Sequence, residues 1–203
     1  MSFKKLTPLL KESLLRIEYQ EPTAFQKAIL PKLKGGANVF GIAPKDSGKT
    51  DALIISVIQK LNAAAYQDSP RVLIFVKDKK AALALDANFK RFTRGTDLRV
   101  YPAYDEQNID AQKDEIYYGQ DIIITTPKRL SKLYLINGIH LGEVQLLAIE
   151  DAQFLASNNL HAEIIRVSES IKKCQYAIFA DKYYPKFDKF ESAFMSNSQL
   201  IEL

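Results

Sequence analysis

Seven short runs rich in Val, Ile, Leu and Phe, at 38–42, 71–76, 98–101, 121–125, 146–149, 175–180 and 199–203, alternate along this chain with longer segments of helical period. Most of the runs are continuously apolar rather than alternating, the pattern of strands covered on both faces. The segments between and before them, at 7–16, 24–34, 48–63, 79–92, 111–117, 127–135, 160–171 and 186–194, read as helices. Strand–helix repetition at this spacing implies βαβ units, and so an α/β fold: three layers, with a mostly parallel, twisted sheet between helices on both faces. No repeat, low-complexity tract or long linker interrupts residues 1–203, which are expected to form one domain. Ligands of such folds sit in the loops at the carboxyl ends of the strands.

Composition excludes several classes. A domain of 203 residues buries roughly 70% of its unfolded surface, ample for one core. The lone Cys174 excludes an internal disulfide framework and suits a reducing, cytoplasmic location. The apolar stretch at 52–58, broken only by Ser56, is too short to cross a bilayer, and the first residues carry no apolar signal core, so no membrane partner is expected. A formal net charge of +4 is compatible with a nucleic-acid partner without demonstrating one.

The first strand runs into Ala43-Pro44-Lys45-Asp46-Ser47-Gly48-Lys49-Thr50 and then an apolar helix. This is a phosphate loop, G-x-x-x-x-G-K-[ST], with Ala in its first position. Backbone N–H groups at the helix start surround phosphates, and the helix dipole adds to the attraction. Lys49 is expected to reach the β and γ phosphates of a nucleotide and Thr50 to ligate Mg²⁺, while Lys45, Asp46 and Ser47 complete the loop. Gly usually stands where Asp46 does, because the chain there takes a positive φ. Asp tolerates that conformation at about 1 kcal/mol. Its charge, ~6 Å from a phosphate, costs about 1 to 3 kcal/mol more, so ATP or ADP binding is weakened. The two histidines, His140 and His161, lie far apart without acidic or thiol ligand spacing, so no metal beyond nucleotide-borne Mg²⁺ is expected.

With that loop placed, the whole chain resembles the first RecA-like, P-loop NTPase domain of DEAD-box RNA helicases. Region 1–35 contains Ile17-Glu18-Tyr19-Gln20-Glu21-Pro22-Thr23-Ala24-Phe25-Gln26, similar to the adenine-reading Q motif, G-[FY]-x-x-P-T-x-x-Q, with Glu18 in place of the Gly. The resemblance implies that Gln26 reads the adenine edge, with Tyr19 beside it and Phe3 at the stacking position. An ordinary helix start capped by Thr23 explains the same residues. Thr125-Thr126-Pro127-Lys128-Arg129-Leu130 is similar to the T-P-G-R motif that holds the RNA backbone, which implies phosphate contacts from Thr126, Pro127, Lys128 and Arg129. Lys77, Lys79 and Lys80 occupy the end of the family's P-T-R-E-L-A strand, Pro102-Ala103 the place of a Gly-Gly pair, and Gln112 that of a downstream Gln. A solvated charged helix end explains the three lysines equally well.

The catalytic box departs most. Leu147-Ala148-Ile149-Glu150-Asp151-Ala152-Gln153 stands where the family has V-L-D-E-A-D. Glu150 thus takes the Mg²⁺-holding position one methylene too long, and Mg²⁺ demands near-ideal octahedral geometry. Asp151 falls roughly 1.5 Å short of the attacking water, and a misplacement near 1 Å can cost on the order of a hundredfold in rate. Gln153 replaces a charged partner by an amide. The S-A-T box becomes Ala180-Asp181-Lys182, without either hydroxyl. The family also hydrolyses ATP between two RecA-like domains, the second supplying arginines worth roughly 10³ to 10⁵ in turnover. The chain is expected to lack that second domain, so a further RecA-like domain or a protein partner would have to supply it. The expectation is a domain that binds ATP or ADP, with Mg²⁺, and RNA, with weak or no ATPase or unwinding activity alone. Two alternatives stay open: a regulatory or nucleic-acid-binding module that has abandoned nucleotide, and one half of a helicase completed elsewhere. Tyr117-Tyr118 and Tyr183-Tyr184 are expected to pack one ring inward and leave one at the surface, and Cys174 to be a small packed side chain.

Overall fold

The computed structural model describes residues 6–19 and 21–203; Phe3, expected to stack on a base, lies outside them. Seven strands form one all-parallel sheet: β1 (Val39–Ile42), β2 (Val72–Phe75), β3 (Val100–Ala103), β4 (Ile122–Thr125), β5 (Leu146–Ile149), β6 (Gln175–Ala180) and β7 (Gln199–Glu202). Their order is β3-β4-β2-β5-β6-β1-β7. Helices α1 (Pro8–Arg16), α2 (Ala24–Lys34), α3 (Lys49–Lys60) and α4 (Lys79–Thr93) cover one face. The other carries α5 (Ile109–Tyr117), α6 (Pro127–Leu135), α7 (His161–Glu169) and α8 (Asp188–Ala193). Successive strand residues point to opposite faces. In β2 and the residue after it, Val72, Ile74 and Val76 join the first core while Leu73 and Phe75 join the second, all buried. Both faces of the sheet are therefore dry, as the continuous apolar runs require.

Caps set several boundaries. Thr126 and Thr23 accept the N–H of Arg129 and Gln26, which starts α6 and α2 where expected. Asn108 accepts from Asp110 and Ala111 and begins α5 two residues before the expected 111. β3 is displaced, from 98–101 to Val100–Ala103, and contains Pro102. It is an edge strand, paired only with β4, so the missing proline N–H faces no ladder partner. The segment expected as a helix over 186–194 breaks into a 3-10 turn, Pro185–Phe187, followed by α8. A second 3-10 turn, Ala152–Ala156, had no sequence counterpart. Among the described residues no helix is long and apolar enough to cross a membrane.

Because every strand is parallel, all seven carboxyl ends share one rim. Strand order divides that rim into two neighbourhoods: the ends of β5, β6 and β1, and the ends of β2, β4 and β3.

Candidate functional site

The first neighbourhood centres on residues 43–48, between β1 and α3. Gly48 is the N-cap of α3 at φ +88°, a left-handed conformation that costs glycine little. A Cβ there would meet Gln26 Nε2 at 2.6 Å. Asp46 takes φ +63°, the positive value expected at its position. Lys45 and Asp46 are exposed and Ser47 half-buried, whereas Lys49 is buried. Its Nζ donates to the carbonyls of Ala43 at 2.5 Å and Pro44 at 2.8 Å. The ammonium thus turns back onto its own loop, whose carbonyls stand in for an anion.

The residues expected to read adenine are built into this loop from behind. Thr23 and Gln26 form a reciprocal capping box: Gln26 N–H donates to Thr23 Oγ1 at 3.2 Å and Thr23 N–H to Gln26 Oε1 at 3.0 Å. Gln26 Nε2 then donates to Tyr19 Oη at 2.6 Å and to the Gly48 carbonyl at 3.0 Å, and Thr23 Oγ1 donates to the Ser47 carbonyl at 2.8 Å. Gln26 is fully buried, with both amide hydrogens engaged, so here it braces the loop rather than presenting an edge to a base. Tyr19 packs on Phe92, and burial first of all pushes its phenol up to about 12. Glu18, where a glycine was expected, sits at φ +55° and closes α1: its N–H reaches the Leu15 carbonyl and that of Tyr19 the Leu14 carbonyl.

At the end of β5, Glu150 is 7% exposed. Its Oε1 accepts from the Thr50 hydroxyl, while Oε2 is buried without a partner. Burial pushes this carboxyl up to about 7; the Thr50 hydrogen bond pulls the other way and the Asp151 charge adds to the rise. Asp151 turns outward at φ +47° and is exposed. It lines, with Lys45, Asp46, Gly48, Lys49, Thr50, Asp51, Gln153 and Asp181, a cavity of about 580 Å³. Ser47 Oγ and Gln153 Oε1 are likewise buried without partners. Thr50 and Glu150 supply hard oxygen donors, the type Mg²⁺ takes, and the unpartnered Oε2 leaves capacity for it. So the residues fit the ion in kind, once the Glu150 proton leaves.

The second neighbourhood gathers the residues expected to hold RNA. Lys77, Lys79, Lys80 and Lys128 are exposed, with Lys79 Nζ 5.2 Å from the Tyr104 ring centroid. Lys77, Lys79, Thr126, Pro127 and Lys128 border a cavity of about 180 Å³ together with Asp78, Asp105 and Glu106. Arg129 is seated otherwise than expected. It is 4% exposed, and its Nη2 donates to the carbonyls of Asp105 and, at 3.0 Å, Gln107. These contacts turn the guanidinium onto the 105–107 loop instead of outward. Gln112, fully buried, braces the same loop by donating to the Tyr104 carbonyl at 3.0 Å and to Gln107 Oε1 at 2.7 Å. Pro102-Ala103, read as the counterpart of a Gly-Gly pair, lies within β3.

Sequence reasoning missed Asp105, which carries no motif, and the bonds from Thr23 and Gln26 to the phosphate loop, whose only sequence signal is the capping-box spacing. It also misplaced a tyrosine pair. Tyr117 and Tyr118 are both exposed, because Tyr117 ends α5 and Tyr118 caps it beyond the core-facing Ile116. Tyr183 and Tyr184 are both half-buried and pack edge-on against Phe187. Cys174 packs against the second core, and burial pushes its thiol up to about 12, away from the thiolate form.

Comparison with known proteins adds to this geometry. The DEAD/DEAH box helicase family profile matches residues 23–185. An ATP-dependent RNA helicase ddx54 from Dictyostelium discoideum is 27% identical over 98% of the chain, which covers 18% of that protein. An ATP-dependent RNA helicase DeaD from Buchnera aphidicola is 26% identical over the whole chain, which covers 34% of that protein. The chain therefore spans between about a fifth and a third of these relatives. Among solved structures, a DEAD box protein from the hyperthermophile Methanococcus jannaschii superposes with a TM-score of 0.90 at 16% identity, over 100% of this chain and 56% of that one. A variant of S. cerevisiae Dbp5 bound to RNA and ADP BeF3 gives a TM-score of 0.85 at 19% identity, over 100% and 52%. These two likenesses bear on the fold, the RecA-like α/β domain.

Proposed function

Since the chain belongs to the DEAD/DEAH box helicase family, we propose that it binds ATP or ADP, with Mg²⁺, at the β5–β6–β1 rim and RNA at the β2–β4–β3 rim, and that alone it hydrolyses ATP slowly or not at all. The observation that carries the nucleotide reading is the loop at the start of α3. Gly48 at φ +88° opens the helix N-terminus onto a cavity lined by Lys45, Lys49, Thr50 and Gln153, and Gln153 Oε1 is buried there without a partner. A polyphosphate in that cavity takes the α3 amides and displaces the Ala43 and Pro44 carbonyls as acceptors for Lys49. Mg²⁺, held by Thr50 and Glu150, supplies charge neutralisation to the phosphates when bound.

Slow turnover follows from the residues themselves. Burial favours the acid form of Glu150, and a protonated carboxyl is a poorer cation ligand than a carboxylate. Asp151 stands exposed on a left-handed backbone at the cavity wall. Asp46, Asp51, Asp151 and Asp181 face the cavity against only Lys45 and Lys49, so a bare triphosphate meets repulsion. Calorimetry with MgADP and MgATP, set against Lys49→Ala, tests the binding; a phosphate-release assay tests the turnover.

A second reading, one half of a helicase, is favoured by the share of the relatives that the chain covers. It predicts that an added RecA-like domain or protein partner raises turnover by the decades an arginine contributes. We also place the protein in the cytoplasm, a location supported by its single free cysteine, Cys174, and tested by imaging the tagged chain.

A further inference from the structure

The RNA reading above leaves one side chain without a role, and three donors meet on it. Asp105 Oδ2 accepts from the Thr126 hydroxyl at 2.8 Å, and Oδ1 accepts from Lys132 Nζ at 3.3 Å and lies 3.8 Å from Arg129 Nε. Arg129 Nε is buried and makes no hydrogen bond, so the guanidinium keeps an unused donor close to this carboxylate. The meeting point lies at the start of the nine-residue α6, where the helix dipole favours an anion. Hydroxyl, ammonium, guanidinium and helix terminus are the partners proteins use for a phosphate oxygen. Here the chain's own carboxylate already has them.

We propose that Asp105 is a built-in anion occupying a phosphate position, and that RNA engages the start of α6 only by displacing it. The proposal rests on the RNA reading and sets how that surface is regulated. The device is held rather than incidental. Arg129 clamps the carbonyls of Asp105 and Gln107, and Gln112 braces the loop from within, so Asp105 is presented to Thr126 by a fixed backbone. Its side chain is still 35% exposed, so a competing phosphate can reach it from solvent. If an incoming phosphate comes to rest about 5 Å from an undisplaced carboxylate, repulsion weakens binding by roughly fourfold to a few hundredfold at effective dielectrics between 80 and 20.

The test is fluorescence anisotropy of a labelled oligouridylate across a salt series, for the wild-type chain, Asp105→Asn and Glu106→Gln. Glu106 is an exposed neighbour without a hydrogen bond or ion pair to the three donors, so its variant sets the background effect of removing one negative charge. Asp105→Asn is expected to bind at least about fivefold tighter than wild type. Its dependence of log affinity on log salt should steepen by about 0.7, the increment for one more phosphate contact on a single strand. Glu106→Gln should show a smaller gain and an unchanged slope. Asp105→Ser, which empties the position instead of neutralising it, should behave as Asp105→Asn does and covers the case in which that variant misfolds. Wild-type binding that neither Asp105 variant strengthens, or an equal gain from Glu106→Gln, overturns the proposal and leaves the RNA reading standing. Absence of binding by every variant at low salt overturns both.

Discussion

Glu150→Gln should make the protein more stable at alkaline pH and leave it nearly unchanged at acidic pH. Burial lifts the Glu150 carboxyl from 4.5 to about 7. Between those values the folded chain holds a proton that the unfolded chain has released, so stability falls as pH rises through the window. The whole displacement is worth about 3 kcal/mol at full ionisation. Glutamine keeps the shape of the protonated acid and an acceptor for the Thr50 hydroxyl, and it never ionises. Urea denaturation of the nucleotide-free protein at pH 5 should therefore show variant and wild type within about 1 kcal/mol of each other. Above pH 8 the variant should lead by roughly 2 to 3 kcal/mol. A difference that stays flat from pH 5 to above 8 would refute the claim that this carboxyl is buried and strained toward its acid form.

Other consequences can be measured in parallel. Asp121 is fully buried between Arg71 at 2.6 Å and Arg99 at 3.0 Å, and these hydrogen bonds overcome burial to hold its carboxyl below the usual range. Asp121→Ala should cost about 3 to 5 kcal/mol in denaturant titration at neutral pH, since it strands Arg71. The wild-type contribution should vanish as pH falls below the ordinary carboxylate range, and a loss under 1 kcal/mol at neutral pH would contradict the network. Gly48→Ala should abolish nucleotide binding in calorimetry while the circular dichroism spectrum is retained, because both φ +88° and the Gln26 amide exclude a methyl there. Gln26→Ala should cost about 1 kcal/mol and speed hydrogen exchange of amides 45–50, since it removes the capping box and the tether to Gly48; unchanged exchange would show that the brace is idle.

Most of the fold was legible because each strand is a continuous apolar run, and a sheet wet on one face would have shown alternation instead. Helices α2 and α6 were legible to the residue because Thr23 and Thr126 cap them. β3 was misjudged because its edge position excuses a proline that a central strand would not tolerate, and edge position is a property of the sheet order. The phosphate loop could be read because its chemistry depends on neighbouring residues: Gly48, Lys49 and Thr50 follow one another. Contacts between segments could not. Glu150 meets Thr50 across a separation of 100 residues, Gln26 meets Gly48 across 22, and Asp105 meets Thr126 across 21. The motif resemblance assigned Gln26 and Arg129 outward roles, whereas Gln26 turns onto Tyr19 and the Gly48 carbonyl and Arg129 onto the carbonyls of Asp105 and Gln107.

The most direct measurement is a calorimetric titration of the wild-type chain and Lys49→Ala with MgADP and MgATP, with phosphate release followed on the same samples. Saturable heat for the wild type at submillimolar to millimolar nucleotide, lost in Lys49→Ala and accompanied by little or no phosphate release, is the expected result. No heat from the wild type at millimolar nucleotide, or equal heat from both proteins, would contradict the account.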